Sequence, residues 1–151
     1  MQTRRETLQY SAAVAGLLAT AGLLPQQAFA YNKAAFEAKS LNDAVKALGA
    51  GAPTESKDVT IGAPDIAENG AVVPLSAGTT LTGVKQMLIL VEKNPAVLVA
   101  MFNVSDSVEP NFAARAKMAQ SSDVYAVAIM ADGKVLFAKK EVKVTLGGCG
   151  G

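Results

Sequence analysis

After Pro53 the chain is cut at close intervals by Gly, Pro, Asn and Asp into short runs rich in Val, Ile, Leu and Phe. Such punctuation around short β-forming runs specifies strands joined by turns. Val59-Thr60-Ile61 stops before Pro64. Ala71 to Leu75 contains Pro74, which has no N–H to give a ladder, so this run is expected at a sheet edge or in a bulge. Met87 to Val91 and Ala96 to Val104 flank the turn signal Asn94-Pro95 and are expected to pair antiparallel. Asp123 to Met130 and Lys134 to Val144 flank Ala131-Asp132-Gly133, a strong hairpin turn. In the last run Val142, Val144 and Leu146 alternate with Glu141, Lys143 and Thr145, the pattern of a half-buried strand. Seven or so such strands predict a mainly β fold, an antiparallel β-sandwich.

Ahead of the strands lies one segment of helical period. Asn32 can cap a helix from about Lys33 to Leu48, with Gly49 as its stop. Ala34, Ala38, Leu41, Ala44, Val45 and Leu48 share one face at helical spacing, an apolar stripe expected to pack on the domain. This is the one N-terminal helix expected. Gly49-Ala50-Gly51-Ala52-Pro53 then reads as a loop. A thioredoxin-like fold would need alternating strands and helices and a Cys-x-x-Cys pair, and neither is present.

The first thirty residues read as an export signal. Arg4-Arg5 precede an apolar run from Ala12 to Leu24, and Ala28-Phe29-Ala30 is a small-x-small cleavage site. The adjacent arginines indicate the twin-Arg route, although Thr7 and Gln9 stand where that pattern usually has Phe and Lys. The run is too short and too rich in Ala and Gly to span a membrane stably. The expected division is a signal peptide over 1–30, a β-sandwich domain over 31–146 and a tail over 147–151. The mature protein would begin at Tyr31 in the periplasm, with no membrane segment. Export in the folded state would let a partner without its own signal be carried along.

Composition removes several function classes. Without Arg4, Arg5 and Glu6, the formal totals of 14 basic and 13 acidic residues fall to twelve of each. That balance, with no basic patch, argues against nucleic acid as a partner. There is no Walker loop, no HExxH, no GxSxG and no dinucleotide fingerprint. The chain has no histidine and one cysteine. The commonest general base is thus missing, and so are the imidazoles and paired thiolates of soft-metal sites. No cofactor or metal site is expected.

The single cysteine stands in Gly147-Gly148-Cys149-Gly150-Gly151. Four glycines around one thiol make a thin tether, because glycine has no Cβ and is costly to order. Nothing there activates the thiol. A lowered thiol pKa needs a helix N-terminus or a close positive charge, and the nearest basic residue is Lys143. Cys149 therefore reads as a presented thiol rather than a self-activated catalyst. Counted from Gly147 to Cys149, an extended tether reaches about 10 Å, and further if Thr145 and Leu146 peel off the last strand. The alternative is a periplasmic β-sandwich interaction module whose cysteine only forms an interchain disulfide.

The GGCGG ending resembles that of the SoxY family, the sulfur-carrier subunit of the periplasmic thiosulfate-oxidising (Sox) system, residue for residue from Gly147 to Gly151. The resemblance implies an immunoglobulin-like sandwich and a covalent carrier that is not itself an enzyme. Cys149 would hold the sulfur intermediates, with Gly147, Gly148, Gly150 and Gly151 as the carrier arm. It also implies a heterodimer with a SoxZ-like β-sandwich subunit. The partner enzymes would be a haem enzyme that couples thiosulfate oxidatively to the cysteine, a dimanganese thiohydrolase that releases sulfate, and a molybdenum–haem sulfane dehydrogenase.

Overall fold

In a computed structural model, residues 32–146 are described; the expected signal peptide, its cleavage site and the Gly147–Gly151 tail lie outside them. The described residues form one compact unit.

The predicted single helix is two short ones, α1 (Lys33–Phe36) and α2 (Leu41–Ala47). Asn32 caps α1 as expected, its Oδ1 accepting from the Ala35 N–H at 3.1 Å. The ladder then breaks because Ser40 adopts an extended backbone and caps α2 instead. Its Oγ accepts from the Asp43 N–H at 3.1 Å and donates to the Asp43 carboxylate at 2.7 Å. A serine so placed satisfies amides that the start of a helix leaves unpaired. The break shifts the phase of the apolar stripe. Ala38, Ala44 and Val45 are buried as expected, but Ala35 takes the inward place expected of Ala34, which is exposed. Gly49 ends α2 at φ 72°. Its N–H bonds the Lys46 carbonyl at 2.9 Å, and the Ala50 N–H bonds that of Val45 at 3.0 Å. This is a Schellman ending, and it requires the left-handed backbone glycine accepts.

Among the described residues nine strands follow, in two sheets. They are β1 (Pro53–Glu55), β2 (Val59–Gly62), β3 (Ile66–Ala67), β4 (Val73–Thr79), β5 (Val84–Val91), β6 (Leu98–Asn103), β7 (Asn111–Ala116), β8 (Ser122–Met130) and β9 (Val135–Val144). The larger sheet runs β1-β9-β8-β5-β6, with β3 also on β9; the smaller runs β2-β4-β7. The β5–β6 pair and the β8–β9 hairpin are antiparallel, as expected. Gly133 takes φ 87° in the hairpin turn, and the Asp132 carboxylate accepts from the Lys134 N–H at 3.0 Å.

The larger sheet is not purely antiparallel, which corrects the sequence expectation: β1 and β3 both run parallel to β9. The cause is the path of the chain from 53 to 67. It lies beside the start of β9, crosses to the smaller sheet as β2, and returns beside the end of β9. The two contacts therefore share one direction. Between them Lys140 reaches the crossing segment, donating to the Ala63 carbonyl at 2.7 Å and pairing with Asp65 at 2.9 Å. Pro74 is also informative. It stands in β4, the middle strand of its sheet, but β2 extends only to the Gly62–Ser76 pair. At Pro74 the strand has β7 alone as a neighbour, so the missing N–H is tolerated.

Two apolar clusters explain the layering. Met87, Ile89, Val124, Ala126 and Val142 of the larger sheet pack with Val59, Leu75 and Ala77 of the smaller. Leu88, Leu90, Val127, Ile129 and Val135 pack with Ala35, Ala44 and Val45 of the helices. The larger sheet is covered on both faces, so the run from Met87 to Val91 is apolar without alternation.

Candidate functional site

The five tail residues singled out by sequence (Gly147, Gly148, Cys149, Gly150 and Gly151) lie outside the described residues. What the structure places is the base from which they leave. That base is the end of β9 together with Thr145 and Leu146.

Burial falls away along this stretch. Val142 is fully buried, Val144 is half-buried, and Thr145 and Leu146 are exposed. The expected alternation thus holds at Val142 and fades over the next two apolar positions. Loss of burial does not leave the backbone loose. The Lys143 N–H bonds the Asp65 carbonyl at 2.9 Å, and the Thr145 N–H bonds that of Ala67 at 3.1 Å. The Thr145 hydroxyl donates to the Glu68 carbonyl at 3.0 Å. The Leu146 carbonyl accepts from the Gly70 N–H at 2.8 Å. On another side the Val144 N–H bonds the Ser121 hydroxyl at 2.9 Å. Thr145 and Leu146 therefore belong to the folded body, and the extra reach expected if they peeled away is not used in this state.

The clasp is itself fixed. Gly70 presents its carbonyl to the Met118 N–H at 2.7 Å, which ties it to the end of β7. Asn69 turns the chain, its Oδ1 accepting from the Ala71 N–H at 2.8 Å. Asp65, at the other end of the clasp, is held by Lys140. Sequence reading missed Asp65, Gly70 and Ser121 as parts of this site. Asn69-Gly70 carries a turn signal, but nothing in the sequence says that the turn grips the last strand.

Among the described residues no group of three or more His, Cys, Asp or Glu could hold a metal ion. A groove of about 930 Å³ lies at the opposite ends of the strands, lined by Lys57, Asp58, Thr79, Ser105, Asp106 and neighbouring residues. It is formed where β4 and β6 finish and β5 and β7 begin, whereas the clasp joins the start of β4 to the end of β7. Among the described residues no helix is long and apolar enough to cross a membrane.

Comparison with known proteins supplies the family. Residues 44–149 match the family model described as sulfur oxidation protein SoxY, so the match extends through Cys149. By structure, the chain is similar to the sulfur carrier protein SoxY from Chlorobium limicola f thiosulfatophilum. The two are 36% identical with a TM-score of 0.64, over 71% of this chain and 97% of that one. It is also similar, at 18% identity and a TM-score of 0.51, to superoxide reductase (Neelaredoxin) from Ignicoccus hospitalis, over 57% of this chain and 78% of that one. At that identity only the fold is shared. A search of curated protein sequences finds no match. With a family match over most of its length and a 36% identical SoxY structure whose chain it covers almost completely, this chain belongs to the SoxY family.

Proposed function

We propose that this protein is a sulfur carrier of thiosulfate oxidation, and that it carries its cargo on Cys149. The observation that carries the reading is the family match through Cys149. The hydrogen-bonded clasp supports it, because it grips the chain up to Leu146, immediately before the first glycine. A fixed base followed by Gly147 and Gly148 is what a short swinging arm requires. Thiosulfate is joined to the Cys149 sulfur as a disulfide-type bond, and the two electrons released pass to a haem partner enzyme. Water then releases sulfate at a dimanganese partner, and a sulfane dehydrogenase oxidises the remaining sulfur. The chain supplies no catalyst of its own; tethering keeps each intermediate at high local concentration for the next enzyme.

The further parts of the reading come from the N-terminal sequence and from the same family. The working compartment is the periplasm, reached by twin-Arg export directed by Arg4-Arg5, with cleavage after Ala30 leaving Tyr31 as the mature N-terminus. The body, 31–146, is an immunoglobulin-like sandwich and pairs with a SoxZ-like subunit. The apolar core shared by the two sheets supports the sandwich.

The test is a pair of variants. Cys149→Ser keeps the shape of the arm and removes the thiolate, so thiosulfate-dependent turnover should be lost while folding and pairing are unchanged. Gly148→Val keeps the thiol but adds a stiff, β-branched side chain beside it. Cys149 in that variant should still react with a small alkylating reagent, while every enzymatic transfer slows. A Cys149→Ser protein that supports turnover would refute the reading. A Gly148→Val protein with full turnover would refute the slender arm and leave room for a cysteine that only forms interchain disulfides.

A further inference from the structure

Four large apolar side chains are prominently exposed among the described residues: Ile66 at 58%, Val72 at 57%, Val108 at 45% and Leu146 at 69%. Single exposed apolar residues are ordinary, but their distribution here is not. Val108 lines the groove at the far ends of the strands. The other three belong to the clasp or border it. Ile66 is in β3 and pairs with Lys143, Leu146 accepts the Gly70 N–H, and Val72 follows Gly70 by two residues. Backbone hydrogen bonds thus hold the segments of Ile66 and Leu146, eighty residues apart in sequence, together at the base of the arm, and Val72 lies two residues beyond the bonded Gly70.

We propose that Ile66, Val72 and Leu146 form a docking collar that meets an apolar rim around the channel by which a partner enzyme receives the arm. The proposal rests on the carrier reading of Cys149. Its occupant is set by reach. Cys149 is three residues beyond Leu146, so its extended backbone lies at most about 10 Å from the clasp. An enzyme that encloses the thiol must bring its surface to within that distance of Leu146. The residues ringing the base are then the first part of the folded body to touch the mouth of the channel. Two other occupants fit less well. The three side chains together offer a few hundred Å² at most, well short of the roughly 800 Å² per partner of a stable interface. A subunit or second copy seated permanently on the collar would also enclose the short arm it surrounds. A small apolar collar suits an encounter that must form and release at each transfer.

The test uses the mature carrier in its native complex, with Ile66→Thr, Val72→Thr and Leu146→Ser combined. All three side chains are exposed, and the Leu146 hydrogen bond is made by its backbone, so the fold should persist, as checked by thermal melting. With the carrier as varied substrate of the thiosulfate-coupling enzyme, KM should rise on the order of tenfold while kcat is nearly unchanged, because binding and not chemistry is weakened. Val108→Thr should leave both constants unchanged, and Cys149 alkylation should proceed at the wild-type rate in all variants. An unchanged KM in the triple variant would overturn the collar, and the carrier reading would stand so long as Cys149→Ser is inactive. A triple variant that loses its companion subunit, or a concentration-dependent self-association, would assign the collar to a stable partner and equally overturn the proposal. If the triple variant unfolds, Leu146→Ser alone should raise KM about threefold, and no rise in that variant overturns the collar.

Discussion

The two ends of β9 are built alike and finish differently. Each is flanked by a very short parallel strand, β1 over Val135 to Phe137 and β3 over Lys143 and Val144. At the start Val135 is buried under the helices, and the chain arrives through a tight turn fixed by Asp132 and by Gly133 at φ 87°. At the end burial falls from Val142 to an exposed Leu146, and backbone hydrogen bonds to 65–70 take over from apolar contact. The lesson is that a strand can be held at its terminus without being buried there. The proposed carrier arm would benefit from that arrangement: its base stays in place without being enclosed in the core.

The comparison makes its strongest demand along β9 itself. Val142→Ala should cost about 2 kcal/mol, since it removes two methyl groups from a closed core. Val144→Ala should cost about half as much, and Leu146→Ala should stay within about 0.5 kcal/mol, the range of surface changes. Urea denaturation of the three variants would show the gradient; equal costs would mean that the end of the strand is buried after all.

A smaller effect is expected at the start. Gly133→Ala places a side chain on a left-handed backbone and should cost about 1 kcal/mol, read from the same denaturation midpoints. No atom lies near enough to obstruct the added Cβ, so the cost is one of backbone conformation alone.

Thr145→Val removes the hydroxyl that bonds the Glu68 carbonyl and keeps the shape of the side chain. Global stability should fall by no more than about 0.5 kcal/mol, because the site is exposed and water can replace the bond. Amide exchange at Thr145 and Gly70 should nevertheless quicken. If exchange there is unchanged, the backbone bonds alone hold the base.

The smallest effect concerns Asp132. The Lys134 N–H and ammonium hold its carboxyl below the ordinary value of 3.8. A lowered folded-state value means that its contribution is present above the ordinary range and is lost as pH falls through the lowered one. The group is fully exposed, so Asp132→Asn should flatten the acid side of the stability profile only slightly. A variant with a steeper acid loss would contradict the assignment.

The same contrast shows what the sequence discloses. The hairpin before β9 is legible because Asp-Gly requires a particular backbone. The caps at Asn32 and Gly49 are legible for the same reason. The antiparallel β5–β6 pair follows from two apolar runs about a turn. The break at Ser40 could have been read from its position three residues before Asp43, but the continuous helical period of the alanines conceals it. β1 and β3 are beyond sequence reading: they are three and two residues long, and their parallel pairing depends on where the chain crosses between sheets. The clasp is hidden for a related reason, since most of its bonds join backbone groups that every residue carries. Cys149 and its glycines are conspicuous in the sequence because their chemistry is in their composition.

The central claim is that Cys149 carries sulfur cargo, and the most direct measurement is the intact mass of the native protein from cells grown on thiosulfate. The account predicts a population whose mass increments correspond to thiosulfate-derived groups, mapped to Cys149 and removed by a thiol reductant. Those increments should be absent from the Cys149→Ser variant. A native protein found only as the free thiol and a covalent dimer, with no sulfur adduct under thiosulfate feeding, would contradict it.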